Sequence, residues 1–186
     1  MSGMKFEVIP AERGIALREA FIRRFIDWTG AYYQEHIGFL PLNENSRCYD
    51  GYLWDCLRDN EQWKKACGMD AAAKFLRGKG HVFAMWDLFS DERVRNSKRL
   101  FAEYPKGTVI RVQGRLLAQT VEAEWEAEQA AWRKDCQCEG LWLPEDLYCF
   151  DETLNWYVIF THEGWDHWTN PELDEDAYIR VCFLSK

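Results

Sequence analysis

The sequence predicts an α+β protein: a largely helical N-terminal half packed on one face of a small antiparallel sheet, with a C-terminal hairpin. Three observations carry this. Apolar residues recur at spacings of three and four through much of the first 80 residues, which is the helical period. The last 40 residues hold β-rich runs, and two of these flank the polar turn Asp151-Glu152-Thr153-Leu154-Asn155. Helices first and strands later is the order of α+β proteins, in which helices gather on an antiparallel sheet. At 186 residues, residues 1–186 are expected to form a single globular domain.

Phe6-Glu7-Val8-Ile9 reads as a short strand stopped by Pro10, which cannot donate to a ladder. From Ile15 the period changes. Leu17, Phe21, Phe25, Trp28 and Tyr32 form one stripe, widened by Ile22 and Ile26, with Arg18, Arg23, Arg24 and Asp27 assigned to the other face. Gly30 or Gly38 loosens or ends this helix. After a polar loop, Tyr49, Leu53, Cys56 and Leu57 again fit a helical face. Asp59 with Gln62 resembles a capping box that starts a short helix carrying Trp63, Ala66 and Cys67. A further helix follows Asp70 and stops at Gly78-Lys79-Gly80.

His81-Val82-Phe83-Ala84-Met85-Trp86 suits a buried strand, and Ser90-Asp91-Glu92 starts a helix. Residues 108–117 read as strand in their β-branched first half. Residues 120–134 form a helix with early glutamates and late Arg133 and Lys134, an order that complements the macrodipole, with Val121, Trp125 and Trp132 on its buried side. In the second strand of the hairpin the pleat places Trp156, Val158 and Phe160 on one face and Tyr157, Ile159 and Thr161 on the other. Both faces are bulky, as expected of a central strand or one whose second face is covered. Residues 178–184 make a last strand.

Composition narrows the function classes. A net charge of -8 opposes binding to a nucleic-acid backbone, which needs clustered Lys and Arg, and favours a basic protein partner. No apolar run approaches the roughly 18 residues that span a bilayer. Seven cysteines, an odd number, with no apolar leader at the N-terminus point to reduced thiols and a soluble cytoplasmic protein. Aromatic residues make up 16% of the chain, with 10 Trp, more than core filling usually demands, so some are candidates for a binding surface.

Chemistry-bearing patterns are few. There is no phosphate-binding loop, nucleophile elbow or dinucleotide fingerprint, and no cofactor is expected. His162-Glu163-Gly164-Trp165-Asp166-His167 fails the zinc-protease pattern, because its histidines are five apart in a segment that follows a strand and contains glycine. A looser set of His162, Glu163, Asp166 and His167 stands as an alternative metal site. Asp151 and Glu152 could pair as acid and base, although turn carboxylates more often bond their own backbone. The candidate pocket is the exit of the hairpin: Trp156, His162, Glu163 and Trp165.

Three stretches resemble a family of small bacterial proteins that is classed as a domain of unknown function: Ile9-Pro10 leading into Leu17-Arg18-Glu19-Ala20-Phe21, then Met85-Trp86-Asp87-Leu88-Phe89-Ser90, then Asp146-Leu147-Tyr148 through Trp156-Tyr157-Val158-Ile159-Phe160-Thr161-His162-Glu163. The family closes on a similar Trp-to-Thr-His-Glu strand and tends to carry His where this chain has Asp87. The resemblance implies neither an activity nor a cofactor. Two functions are expected from the whole. The first is a non-enzymatic binding protein of the immunity or antitoxin kind. The alternative is a hydrolase or metal-dependent enzyme using His162, Glu163 and His167.

Overall fold

The computed structural model describes residues 5–38, 40, 51–58, 66–87, 107–132, 146–165 and 179–185, with backbone alone at 66, 132, 162–165 and 179–181. In chain order the elements are β1 (Phe6–Val8), α1 (Ala11–Phe25), α2 (Ala31–His36), a 3-10 turn (Leu53–Cys56), β2 (Ala66–Cys67), α3 (Met69–Arg77), β3 (His81–Trp86), β4 (Ile110–Gln113), α4 (Gly114–Trp132), β5 (Leu147–Phe150), β6 (Tyr157–Trp165) and β7 (Ile179–Ser185). The strands form one seven-stranded sheet in the order β1-β4-β3-β5-β6-β7-β2, every neighbouring pair antiparallel. Helices pack against it, so the protein is α+β.

The helices are shared between the two faces of the sheet rather than gathered on one. Phe83, Met85, Tyr148, Phe150, Tyr157, Ile159 and Phe183 point toward α1, α2 and the 3-10 turn, where they join Phe21, Ile22, Phe25 and Tyr33. Val82, Ala84, Trp86, Leu147, Cys149, Val158, Phe160 and Cys182 point the other way, against Ala72, Ala73 and Leu76 of α3 and Leu117, Ala118 and Val121 of α4. The cause is in the strands. The pleat alternates side chains between faces, and β3, β5 and β6 are apolar at consecutive positions, so both faces must be covered. The bulky second face expected of residues 156–161 is this one, and Trp156, Val158 and Phe160 lie together on it.

The long N-terminal helix is broken. Its period continues through Trp28 and Tyr32, yet Ile26 is extended, with φ -100° and ψ 138°, and bridges Leu57. Asp27 N–H donates to the Cys56 carbonyl at 2.7 Å and Arg58 N–H to the Phe25 carbonyl at 3.0 Å. Pairing with residues 56–58 therefore replaces the next helical turn. Gly38, at φ +67°, ends α2: its N–H and that of Ile37 both reach the Tyr33 carbonyl, at 2.7 and 2.9 Å.

Ala66 and Cys67, expected on a helix, instead pair with Phe183 and Cys182 as an edge strand. The expected strand within 108–117 is Ile110–Gln113, and α4 begins straight after it, six residues before the expected start at 120. Gly114 makes that abrupt start feasible. A Cβ there would lie 2.9 Å from the Lys79 carbonyl oxygen and closer still to that of Leu76, so only glycine lets the helix leave the sheet beside the end of α3. The capping box at Asp59, Trp63, the helix from Ser90 and His167 lie outside the described residues. No helix among the described residues is long and apolar enough to cross a membrane.

Candidate functional site

Two polar features lie on the α1 side of the sheet, and the 3-10 turn belongs to both. The first is a buried cluster at one end of the central strands. The register pairs Trp86 with Leu147 and Leu147 with Phe160, so one step further out come Asp87, Asp146 and Thr161. These three polar residues are 4%, 0% and 0% exposed. The Tyr148 hydroxyl donates to Asp87 Oδ2 at 2.6 Å and accepts from the Trp54 N–H at 3.1 Å. Trp54 Nε1 donates to Asp146 Oδ2 at 2.9 Å, and the Leu53 N–H approaches Asp87 Oδ1 at 3.4 Å. Hydrogen-bond donors from the 3-10 turn and from Tyr148 thus reach both carboxyl groups, as buried acids require.

Arg18 reaches the same strand end from α1. Its side chain is buried, not solvated as its assignment to the polar face of the helix had it, and its Nη1 donates to the Trp86 carbonyl at 2.8 Å. The spacing carries a signal for this: Arg18 lies three, four and seven residues before Phe21, Ile22 and Phe25, on the stripe itself. Three stretches distant in sequence meet here, contributing Arg18, Trp86 with Asp87, and Asp146, Tyr148 and Thr161.

Beyond Thr161 the backbone of β6 carries His162 and Glu163 past this end of the sheet. Phe160 faces Cys182 and Gly164 faces Arg180, so four steps along β6 match two along β7 and the strand bulges at residues 161–163. Bulges re-aim side chains and are frequent beside functional sites. The side chains of His162, Glu163 and Trp165 lie outside the described residues, as do Asp166 and His167. Among the described residues, no group of three or more His, Cys, Asp or Glu side chains is arranged to hold a metal ion.

Trp156 sits elsewhere, at the other end of the hairpin and on the opposite face. It is 4% exposed, its Nε1 donates to Asp151 Oδ2 at 2.6 Å, and its ring meets Phe75 edge-on at 5.3 Å. Lys79 Nζ stands 4.2 Å from the Phe75 ring centre and 4.7 Å from that of Trp156, covering both. Asp151 also accepts the Thr153 N–H at 3.0 Å, while Glu152 faces Arg13 at 3.7 Å in an exposed pair. The two turn carboxylates therefore hold the hairpin turn and its surface.

The second feature is an open cleft of about 520 Å³ lined by residues 27, 30–33 and 55–58. Asp27, Tyr32 and Asp55 are exposed in it, and the Tyr32 hydroxyl donates to Asp55 Oδ2 at 3.2 Å. Arg58 turns its guanidinium to the end of α1, where Nε and Nη2 donate to the carbonyls of Ile26 and Arg23 at 3.2 and 3.3 Å. Burial, reinforced by Asp55, Asp87 and Asp27, pushes the Cys56 thiol up to about 12. Burial, with Cys56 and Glu19 adding to it, does the same to the Tyr33 phenol. Both groups are neutral at physiological pH and unsuited to act as nucleophile or base there.

These raised values have a stability consequence. The folded protein holds protons on Cys56 and Tyr33 that the unfolded chain releases from its ordinary thiol and phenol values of 9.0 and 10.0. Their stabilising contribution is complete below pH 9 and falls as pH climbs toward 12. Urea midpoints are expected to be flat between pH 7 and 8.5 and to drop steeply by pH 10.5, with the Cys56→Ala variant showing a shallower drop.

No protein-family model, curated protein or solved structure matches this chain.

Proposed function

We propose that the protein is a non-enzymatic binding protein of the immunity or antitoxin kind, which takes a basic protein partner on the cleft between α1–α2 and the 3-10 turn. The observation that carries this reading is the cleft's exposed surface. Tyr32, 39% exposed, donates its hydroxyl to Asp55 in a cleft that the exposed Asp27 also lines, while the neighbouring cation Arg58 is occupied by the carbonyls of Ile26 and Arg23. A half-exposed aromatic ring in a cleft lined by two acids suits an incoming Arg or Lys, which gains ring contact and charge pairing together. The chain's net charge of -8 would steer such a partner from a distance. The neutral Cys56 and Tyr33 further favour binding over catalysis in this cleft.

The test is charge reversal. The immobilised protein is expected to retain a basic protein from a lysate of its source. That protein, once purified, should bind wild type at least tenfold more tightly than Asp27→Lys/Asp55→Lys, with the Tm of the variant unchanged. Equal affinity for the reversed variant would remove this reading.

The enzyme alternative keeps one supporting observation: the bulged stretch of β6 bears His162 and Glu163 next to the buried Asp87, Asp146 and Thr161. Elemental analysis of protein purified without a metal-affinity tag decides its metal version. A stoichiometric metal lost in His162→Ala supports it, and a metal-free protein ends it.

A further inference from the structure

We propose that Cys67 and Cys182 are a redox-active dithiol, which a peroxide closes to a cross-strand disulfide that latches the outermost strand β2 to β7. The two residues stand directly opposite each other in the antiparallel β2–β7 register, and both are thiols in this structure. Opposed residues of such a pair point to the same face of the sheet. Cys182 accordingly lies in the core under α3 and α4, and Cys67 packs against that same cluster. Cα atoms so paired stand about 4.5–5.5 Å apart, inside the span of about 4.4–6.8 Å that a disulfide bridges. Closure asks the two Cβ atoms to approach by only about 1 Å. A strand of two residues at the end of the sheet order can give that much.

The other cysteines among the described residues do not compete. Cys149 lies on the same face, but β6 separates its strand from β7. Two interstrand spacings make about 9.5 Å, beyond the limit of about 7 Å for a bridge. Cys56 belongs to the core on the opposite face. Burial then sets the order of events within the pair. Cys67 is half-buried and Cys182 fully buried, so an oxidant from solvent meets Cys67 first and Cys182 resolves the product.

With hydrogen peroxide as oxidant, the Cys67 sulfur attacks one peroxide oxygen and the O–O bond breaks. The departing hydroxide leaves as water with the Cys67 proton. The Cys182 sulfur then attacks the resulting sulfenic acid, the S–O bond breaks, and the hydroxyl leaves as a second water with the Cys182 proton. Two electrons pass from the sulfurs to the peroxide. Burial holds the Cys67 thiol above its ordinary value, so closure is slow at neutral pH and quickens as pH rises. In a reducing compartment the pair rests as thiols and closes under peroxide. The closed loop spans more than a hundred residues, a length at which a cross-link constrains the unfolded chain strongly.

The experiment treats the folded protein with hydrogen peroxide at pH 8, blocks the remaining thiols with N-ethylmaleimide and maps peptides without reduction. A linked Cys67–Cys182 peptide that dithiothreitol separates is expected. The closed protein should melt at least about 5 °C above the reduced one. That difference should vanish in Cys67→Ser and persist in Cys149→Ala, each variant being compared with its own reduced form. The peptide map is read on wild type and does not depend on how a variant folds. The proposal is overturned if both thiols survive peroxide, if Cys67 passes to sulfinic acid beside a Cys182 thiol, or if the linked peptides join other cysteines instead. It is equally overturned if the closed protein melts no higher than the reduced one, or if Cys67→Ser keeps the rise.

Discussion

Phe21→Ala is expected to destabilise the protein by about 4 kcal/mol, in the range for deleting a large buried ring and leaving a cavity. Phe21 is fully buried on α1 and touches both its own helix and the sheet: its ring centre lies 5.1 Å from Phe25, 5.7 Å from Tyr148, 5.1 Å from Phe150 and 6.3 Å from Tyr157. Those partners come from α1, β5 and β6, so no single movement of one element can fill the space. At about 2–4 °C per kcal/mol for a chain of this size, the fall in Tm should be about 8–16 °C by calorimetry. Val8→Ala, at an exposed edge position, serves as the control and should change stability by no more than about 0.5 kcal/mol.

Gly114→Ala is expected to destabilise by about 2 kcal/mol, although helix propensity alone argues the reverse sign. Exchanging glycine for alanine gains about 1 kcal/mol in a helix interior, an upper bound at Gly114, the first residue of α4. Here the added methyl meets the backbone carbonyls of Leu76 and Lys79, and the Leu76 oxygen is held by the Lys79 N–H at 2.9 Å. Displacing α4 from α3 costs at the upper end of the overpacking range, about 3 kcal/mol, which outweighs the propensity gain. Urea unfolding should show a lower midpoint at unchanged m-value. A rise in the midpoint would mean that the two helices can separate at little cost.

The parts of the fold that were legible in the sequence are those whose burial follows local period. The alternation along residues 156–161 and the apolar run of β3 state which side chains face which way, because a strand's period of two leaves no other choice. Glycine after Arg77 likewise marks the end of α3. The departures arise where a distant segment takes over. The α1 stripe runs on through Trp28 and Tyr32, but residues 56–58 capture the backbone at Ile26. Cys67 has a helical neighbourhood in sequence and a β partner more than a hundred residues away. Helices on both faces follow from α3 and α4, and the start of α4 depends on Gly114 and not on any period.

The candidate site was legible in part. The hairpin exit lies at the end of the sheet that holds Asp87, Asp146 and Thr161, whereas Trp156 belongs to the far end and the opposite face. Arg18 went unnoticed because a charged residue was assigned to solvent by its type, when its spacing from Phe21 and Phe25 places it on the buried stripe.

The two outermost strands, β1 and β2, have three and two residues. Pro10, shortly after β1, lacks a donor, and Glu7 at 3.6 Å from Arg111 sets charges on that rim. Among the described residues, the β1 rim offers no backbone ladder long enough for a foreign strand to extend the sheet there. Edge pairing at that rim is thereby blunted, and a molecule that meets the protein there meets side chains and their charges in place of a backbone ladder.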